Sequence, residues 1–104
     1  MIDLEKKYQD AVKRILAKHV PGCEVRVHGS RARGTARKYS DLDLVVKGKS
    51  PLDPQKMDAL KDALSESDLP IMADVLDWHA ISPEFREAIK KEYAVVQRPA
   101  STAP

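Results

Sequence analysis

The sequence has a single cysteine and no long hydrophobic run. Because Cys23 is the only cysteine in 104 residues, no disulfide can form within the chain and no cysteine-based metal cluster is available. No apolar segment reaches the length that spans a bilayer. The first ten residues, MIDLEKKYQD, are acidic and amphipathic rather than a signal peptide. We therefore expect a soluble, cytoplasmic protein without a membrane partner.

The chain also lacks a strong excess of one charge and any internal repeat. Charged residues make up 33% and hydrophobic residues 42%, with a net charge of +2. This balance indicates a globular chain, and it does not give the broad basic surface of a dedicated nucleic-acid-binding protein, so no direct DNA binding is expected. The length suits one domain with a modest core. We predict that domain at residues 1–97 and a flexible tail at residues 98–104, where Pro, Ala, Ser and Thr dominate.

What the sequence does contain is one unusually informative segment, HGSRARGTARKYSDLDLVV, from His28 to Val46. Asp41 and Asp43 open a predicted strand, so their side chains share one face while the apolar residues that alternate with them face the core. Two like charges about 6 Å apart repel by roughly 2–3 kcal/mol at an effective dielectric near 20. A divalent cation reverses that repulsion, and Mg²⁺ binds carboxylates together with substrate phosphates. The pair therefore predicts a magnesium site.

Gly29 and Ser30, at the end of the predicted first strand, form a candidate phosphate-binding turn. Glycine lets the backbone approach a ligand closely, and the turn offers N–H groups and a hydroxyl. Arg31 and Arg33 are the cations nearest to the turn, and guanidinium groups bind phosphates through paired hydrogen bonds, so both are expected to contact phosphate. His28 could contact a nucleotide or simply pack at the strand end. Gly-Ser alone, or Ser-Asp alone, is typical of ordinary turns, and only the combination predicts a site.

A further predicted strand, within IMADVLDW, supplies a third carboxylate. An aspartate in the middle of an apolar strand is costly unless something pairs with it, and the metal site is the obvious partner for Asp74. Asp77 faces the opposite side of the strand, so only one of the two can join the pair. Asp74 is preferred because solvent can satisfy Asp77 near the strand end.

The periodicity along the chain predicts helix, strand, short helix, strand, helix, strand, helix. Asp53-Pro54 and Ser82-Pro83 are predicted helix starts, and the last helix is expected to run along Phe85, Ala88, Ile89 and Tyr93. This is an α/β (α+β) arrangement with a small mixed sheet flanked by helices. The pattern leaves the order of the strands open.

The run GSRARGTARKYSDLDL resembles the signature of the polymerase-beta-type nucleotidyltransferase superfamily. With Ala32, Arg33, Gly34 and the Ser-Asp-x-Asp-Leu ending, it is most similar to the minimal nucleotidyltransferases, and the resemblance extends from about residue 10 to residue 95. It implies the nucleotidyltransferase fold and two Mg²⁺ ions held by three catalytic carboxylates: Asp41, Asp43 and Asp74. It also implies a set of nucleotide-binding residues: Gly29, Ser30, Arg31, Arg33 and Ser40.

The resemblance implies a function as well. Minimal nucleotidyltransferases encoded beside HEPN-domain proteins act as antitoxins that transfer AMP from ATP to a tyrosine of the HEPN ribonuclease toxin, and a complex with the toxin or a homo-oligomer is then expected. One alternative is transfer to a small hydroxylated molecule, as in aminoglycoside-modifying relatives, although no acceptor domain is visible. Another is a non-catalytic nucleotide-binding or toxin-masking module, which would not need clustered acids.

Overall fold

The computed structural model describes residues 2–100, in which four helices alternate with four strands. The helices are α1 (Lys6–His19), α2 (Ser30–Arg33), α3 (Pro54–Ser65) and α4 (Pro83–Lys91), and the strands are β1 (Glu24–His28), β2 (Leu42–Lys47), β3 (Ala73–Asp77) and β4 (Ala94–Gln97). The sheet order is β3-β2-β1-β4. Strand β1 is antiparallel to β2 and β4, whereas β2 and β3 are parallel. The predicted α/β fold with a small mixed sheet is confirmed.

Apolar side chains fill both faces of the sheet, because alternate residues of each strand point to opposite sides. On one face, helices α1 and α3 cover the main core, whose buried members include Leu16, Val27, Leu44, Leu60 and Val75. On the other face, α4 covers a smaller cluster of Val45, Trp78 and Ile89. The smaller cluster leaves one end of this second face free for polar side chains. No helix within residues 2–100 is long and apolar enough to cross a membrane.

The two predicted helix starts are present. The Asp53 carboxylate accepts a hydrogen bond from the Gln55 N–H at 2.8 Å, with Pro54 at the first helical position. The Ser82 hydroxyl likewise accepts from the Phe85 N–H at 3.1 Å. Each cap satisfies an N–H group that the helix itself leaves unpaired, and a cap of this kind stabilises a helix by about 1 kcal/mol.

The prediction for the end of the chain was wrong in two respects, because the last helix does not extend to Tyr93 and β4 was not predicted. Helix α4 ends at Lys91, and Glu92 has an extended backbone with φ −156° and ψ 106°. The segment Ala94–Gln97 then pairs with β1. Of the predicted tail, residues 101–104 lie outside the described residues, and the Ala100 N–H donates to the Pro21 carbonyl at 2.8 Å.

Candidate active site

Three strands bring polar side chains together in one row on the face that carries α4. His28, the last residue of β1, lies opposite Asp43 of β2, and Asp43 lies beside Asp74 of β3. The strand neighbours of all three belong to the main core on the other face, so these three side chains project on the α4 side. Asp41 precedes the first residue of β2 by one position and is exposed. The register thus places Asp74, rather than Asp77, next to Asp43.

The environment of Asp43 in this row disfavours a charged carboxylate. Burial raises the pKa of the Asp43 carboxyl, and the carboxylates of Asp74 and Asp41 raise it further, while His28 and Arg33 act in the opposite direction. Burial lowers the pKa of His28, although the two nearby aspartates favour its charged form. A cation bound beside Asp43 would therefore relieve an unfavourable charge distribution.

Gly29 brings the predicted phosphate turn directly against this row. Its backbone has φ 72° and ψ −155°, a region that is essentially restricted to glycine. A Cβ at Gly29 would overlap the Oδ2 atom of Asp43 and lie 3.2 Å from its Cγ. The Gly29 carbonyl accepts from the N–H groups of Ala32 and Arg33, which starts α2 at Ser30. The Gly-Ser turn and the Asp-x-Asp segment, ten residues apart in the chain, are therefore in contact.

The two predicted arginines occupy different environments. Arg31 is only 6% exposed. Its guanidinium donates to the main-chain carbonyls of Asp3 at 2.7 Å and Ser40 at 2.9 Å, with longer bonds to Arg37 and Lys38. Phosphate contact by Arg31 stays a prediction, and in this structure its donors tie the N-terminal segment to the 37–40 loop. Arg33 is exposed, and within residues 2–100 its side chain makes no hydrogen bond or ion pair, so its donors remain free for a ligand.

Two further polar residues that the sequence analysis considered, Ser40 and Asp77, form hydrogen bonds with main-chain N–H groups. The Ser40 hydroxyl accepts from the Arg37 N–H at 2.8 Å, which closes the turn before Asp41. The Asp77 carboxylate accepts from the N–H groups of Leu52 at 2.7 Å and His79 at 2.9 Å. Main-chain amides, rather than the expected solvent, thus satisfy Asp77. The sequence offered one signal for this role, because Asx turns bond an N–H two residues further on, which is where His79 lies.

The acidic residues suit a hard cation that arrives with its substrate. Within residues 2–100, no three acidic, histidine or cysteine side chains are grouped closely enough to hold a metal ion by themselves. Mg²⁺ does not need such a cage, since it is usually bound by one or two carboxylates together with phosphate oxygens and water. Asp43 lies beside Asp74, and Asp41 lies two residues before Asp43 in the chain, so the three carboxylates supply hard oxygen ligands. The residues therefore fit Mg²⁺ bound together with phosphate.

A cavity of about 190 Å³ adjoins the row on its α4 side. It is lined by His28, Gly29, Arg33, Ala88, Ile89, Lys91 and Glu92. A larger open groove of about 870 Å³ runs between α1 and β4, and none of its lining residues belongs to the row. The smaller cavity is therefore the one that can take part of a ligand bound at Gly29.

These features define a nucleotidyltransferase-type domain, in which a Gly-Ser turn contacts an Asp-x-Asp strand that pairs with a second acidic strand. The model of the family described as nucleotidyltransferase domain matches residues 9–97. The chain is also 46% identical over 101 residues to the probable protein adenylyltransferase MntA of Haemophilus influenzae, a match that covers 97% of this chain and 89% of that protein. The chain belongs to the nucleotidyltransferase domain family, as the sequence motif predicted.

Solved structures extend the comparison. A structure described as a candidate minimal nucleotidyltransferase is 36% identical, with a TM-score of 0.68 over 86% of this chain and 89% of that one. A toxin–antitoxin structure with AMP-PNP has a TM-score of 0.72 at 21% identity, over 85% and 71% of the two chains. A structure of a tri-AMPylated Shewanella oneidensis HEPN toxin in complex with an MNT antitoxin has a TM-score of 0.66 at 16% identity, and the match covers 89% of this chain and 71% of that one. The last two likenesses establish the shared fold alone.

Proposed function

We propose that this chain transfers AMP from ATP to a tyrosine hydroxyl of a HEPN-type ribonuclease toxin and thereby acts as its antitoxin. The observation that carries the proposal is the contact of Gly29 with Asp43 in the same row as Asp74. The 46% identity to a protein named as a protein adenylyltransferase supports AMP as the transferred group. Fold neighbours that are toxin–antitoxin complexes, one of them with a tri-AMPylated HEPN toxin, support the choice of acceptor.

In the proposed reaction, the acceptor hydroxyl releases its proton to solvent and its oxygen forms a bond to the α-phosphorus of ATP, the bond from that phosphorus to the bridging oxygen breaks, and pyrophosphate leaves. Mg²⁺, held by Asp41, Asp43 and Asp74, would neutralise phosphate charge and lower the pKa of the acceptor hydroxyl. Gly29 and Ser30 present main-chain N–H groups and a hydroxyl to the phosphates. These groups are fixed by folding, so little reorganisation is needed when charge develops on the phosphates.

Of the two predicted arginines, Arg33 is the better suited to neutralise the phosphates, because its side chain is exposed and makes no hydrogen bond or ion pair within the described residues. Its charge also acts on Asp43, which indicates that it lies near the row. Bidentate hydrogen bonds from a guanidinium group to phosphate are among the stronger polar contacts in proteins. Arg31, whose donors serve the fold, is not assigned to the nucleotide.

The exposure of the acids favours a macromolecular acceptor. Asp41 and Asp74 are both open to solvent, and only Asp43 is half-buried. A hydroxyl on the surface of a folded protein can approach such an open row, whereas a small acceptor usually needs a pocket that encloses most of its surface. Transfer to a tyrosine of a partner protein is therefore preferred to transfer to a small hydroxylated molecule.

The test is to incubate the purified chain with α-labelled ATP, Mg²⁺ and the protein encoded next to its gene, and to follow label and peptide mass on that protein. We expect labelling of a tyrosine, loss of labelling in Asp43→Asn, and normal labelling in Asp58→Asn, which removes an exposed acid from α3. Equal toxin neutralisation by Asp43→Asn and the unchanged chain would instead support simple masking of the toxin. Labelling of a free aminoglycoside would support the small-acceptor alternative.

A further inference from the structure

The chain carries a tyrosine of its own close to the acidic row. Tyr39 lies two positions before Asp41, and its side chain is 74% exposed. The chain has two other tyrosines, and both are less accessible. Tyr93 is 39% exposed, with the guanidinium carbon of Arg26 4.2 Å from the centre of its ring, and Tyr8 is half-buried on α1. Tyr39 is therefore the tyrosine that another protein can reach most easily.

The loop that carries Tyr39 has a fixed backbone. The guanidinium group of Arg31 donates to the carbonyls of Arg37 at 3.2 Å, Lys38 at 3.4 Å and Ser40 at 2.9 Å. The Arg37 N–H also donates to the Ser40 hydroxyl at 2.8 Å. Main-chain groups on both sides of Tyr39 are thus held by a buried side chain, while the tyrosine itself projects into solvent. A segment fixed in this way loses little conformational entropy when it docks on another surface.

Tyr39 lies beside its own row rather than in it. It lines a cavity of about 310 Å³ together with Pro70 and Ile71, which lead into β3. It is not among the residues that line the cavity next to Gly29. Transfer to this tyrosine within one chain would require its ring to leave the wall of the first cavity. A second copy of the chain can reach the exposed side chain where it stands.

The symmetry of a pair of copies brings the two required groups together. When two copies meet with their rows face to face about a two-fold axis, each makes the same contacts to the other. A tyrosine that lies beside its own row then approaches the row of the second copy. Arg37 and Lys38, next to Tyr39, are exposed cations, whereas Asp41 and Asp74 are exposed acids. Attraction between the loop of one copy and the acids of the other favours this encounter.

We propose that a second copy of this chain is itself a substrate, and that the row of one copy transfers AMP to the Tyr39 hydroxyl of the other. The phenolic oxygen forms a bond to the α-phosphorus of ATP and releases its proton to solvent. The bond from that phosphorus to the bridging oxygen breaks, and pyrophosphate leaves. This inference rests on the proposed transfer to tyrosine hydroxyls, but it concerns a different acceptor protein and needs no partner.

The first experiment incubates the purified chain alone with α-labelled ATP and Mg²⁺ and locates the label by peptide mass. We expect one AMP group on Tyr39, and Tyr39→Phe should remove it. Tyr93→Phe is the matched control and should keep it. Because two copies must meet, the initial rate should rise roughly fourfold for each doubling of a dilute chain concentration. Absence of label from Tyr39 in the unchanged chain would overturn the proposal.

A mixture of two variants tests whether the transfer occurs between copies. Asp43→Asn keeps the acceptor tyrosine but should lack activity, and Tyr39→Phe keeps the row but lacks the acceptor. Each variant alone should remain unlabelled, and the mixture should place label on the Asp43→Asn chain only. A labelled unchanged chain together with an unlabelled mixture would assign the transfer to a single chain, and the second copy would not be the substrate.

A third comparison tests the charge attraction between the two copies. Arg37→Met should slow self-transfer about threefold at low salt, and the difference should disappear near about 0.5 M salt because ions screen exposed charges. Arg14→Met is the matched control, since Arg14 is an exposed arginine on α1. It should leave the rate unchanged. Equal rates in the two arginine variants would overturn the facing arrangement of the copies.

The outcomes separate this inference from the proposed function. Label on the protein encoded next to the gene, with none on Tyr39, would overturn self-transfer and uphold the proposed function. Label on Tyr39, with none on that protein, would uphold self-transfer and overturn the toxin as acceptor.

Discussion

Replacing Gly29 by alanine should separate the effect of the Gly-Ser turn on stability from its effect on the site. The backbone at Gly29 lies in a region that only glycine adopts readily, and an alanine there costs about 1–3 kcal/mol. The new methyl group also overlaps Asp43 Oδ2, and driving that carboxylate off its rotamer costs about 1 kcal/mol more. The lower entropy of the unfolded alanine chain returns about 0.4–1 kcal/mol. The expected net loss is about 2–3 kcal/mol.

Gly34→Ala provides the matched control. Gly34 also has positive φ, at 75°, but a Cβ there meets no atom within 4 Å. Its left-handed conformation costs about 1–2 kcal/mol for alanine, and the entropy of the unfolded chain offsets part of that cost. Gly34→Ala should therefore lose no more than about 1.5 kcal/mol and should retain AMP transfer.

Thermal unfolding and label transfer together measure both effects. For a domain of this size, a loss of about 2–3 kcal/mol lowers Tm by about 10 °C or more. At a temperature where Gly29→Ala is still folded, its transfer rate should fall by about 100-fold, because a reacting group displaced by about 1 Å can cost that much. Equal stabilities for the two glycine variants, combined with normal transfer by Gly29→Ala, would refute the argument that Gly29 is required by its contact with Asp43.

Three other comparisons test the assignment of roles. Arg31→Met should cost about 2–4 kcal/mol in urea unfolding because it removes the hydrogen bonds that a buried guanidinium group makes to four main-chain carbonyls, whereas Arg33→Met should stay within about 0.5 kcal/mol and weaken ATP binding instead. Asp77→Asn should lower the free energy of unfolding by about 1–2 kcal/mol and keep AMP transfer, whereas Asp74→Asn should lose AMP transfer and keep its stability. Loss of transfer in Asp77→Asn alone would make Asp77, rather than Asp74, the third catalytic carboxylate. Since the pKa of Asp43 is raised, its contribution to stability is greatest at low pH and is lost as the pH rises through that pKa. Metal-free Asp43→Asn should therefore be more stable than the unchanged chain at pH 7 and equal to it below the ordinary aspartate pKa of about 4, and a constant difference across a pH series of urea unfolding curves would contradict this.

The sequence predicted the central pair of the site because strand periodicity decides which face a side chain takes. Asp43 and Asp74 each interrupt an apolar run, so each had to lie opposite the core residues that flank it. Periodicity does not say which strands are neighbours. The pairing of β2 with β3, which brings the two aspartates together, depends on the long connection through α3 and could be read only from the structure.

The sequence pattern did not predict which of the two arginines is buried. Arg31 and Arg33 are two residues apart and chemically identical, so their order along the chain gave no reason to separate them. Residues two apart on a helix face different directions, and α2 accordingly turns Arg31 inward and leaves Arg33 outside. The carbonyls that receive Arg31 come from both the N-terminal segment and the 37–40 loop, and no local pattern indicates such distant partners.

The missed strand has a different cause. The residues of β4 follow α4 after only two intervening positions, and four residues are too few to display an alternating pattern. The strand exists because β1 offers a free edge for pairing, which is a property of the assembled sheet rather than of the segment. Two consecutive β-branched residues, Val95 and Val96, were the only local sign.

The row across β1, β2 and β3 links correct folding to chemical competence. If β2 slipped by a single residue, the carboxylate of Asp43 would be driven among leucines and valines, and apolar side chains would be left in water. Such a molecule would be too unstable to persist, so inactive mispaired copies should not accumulate. The acidic side chains that form the site thus also favour the correct register of the strands that carry them.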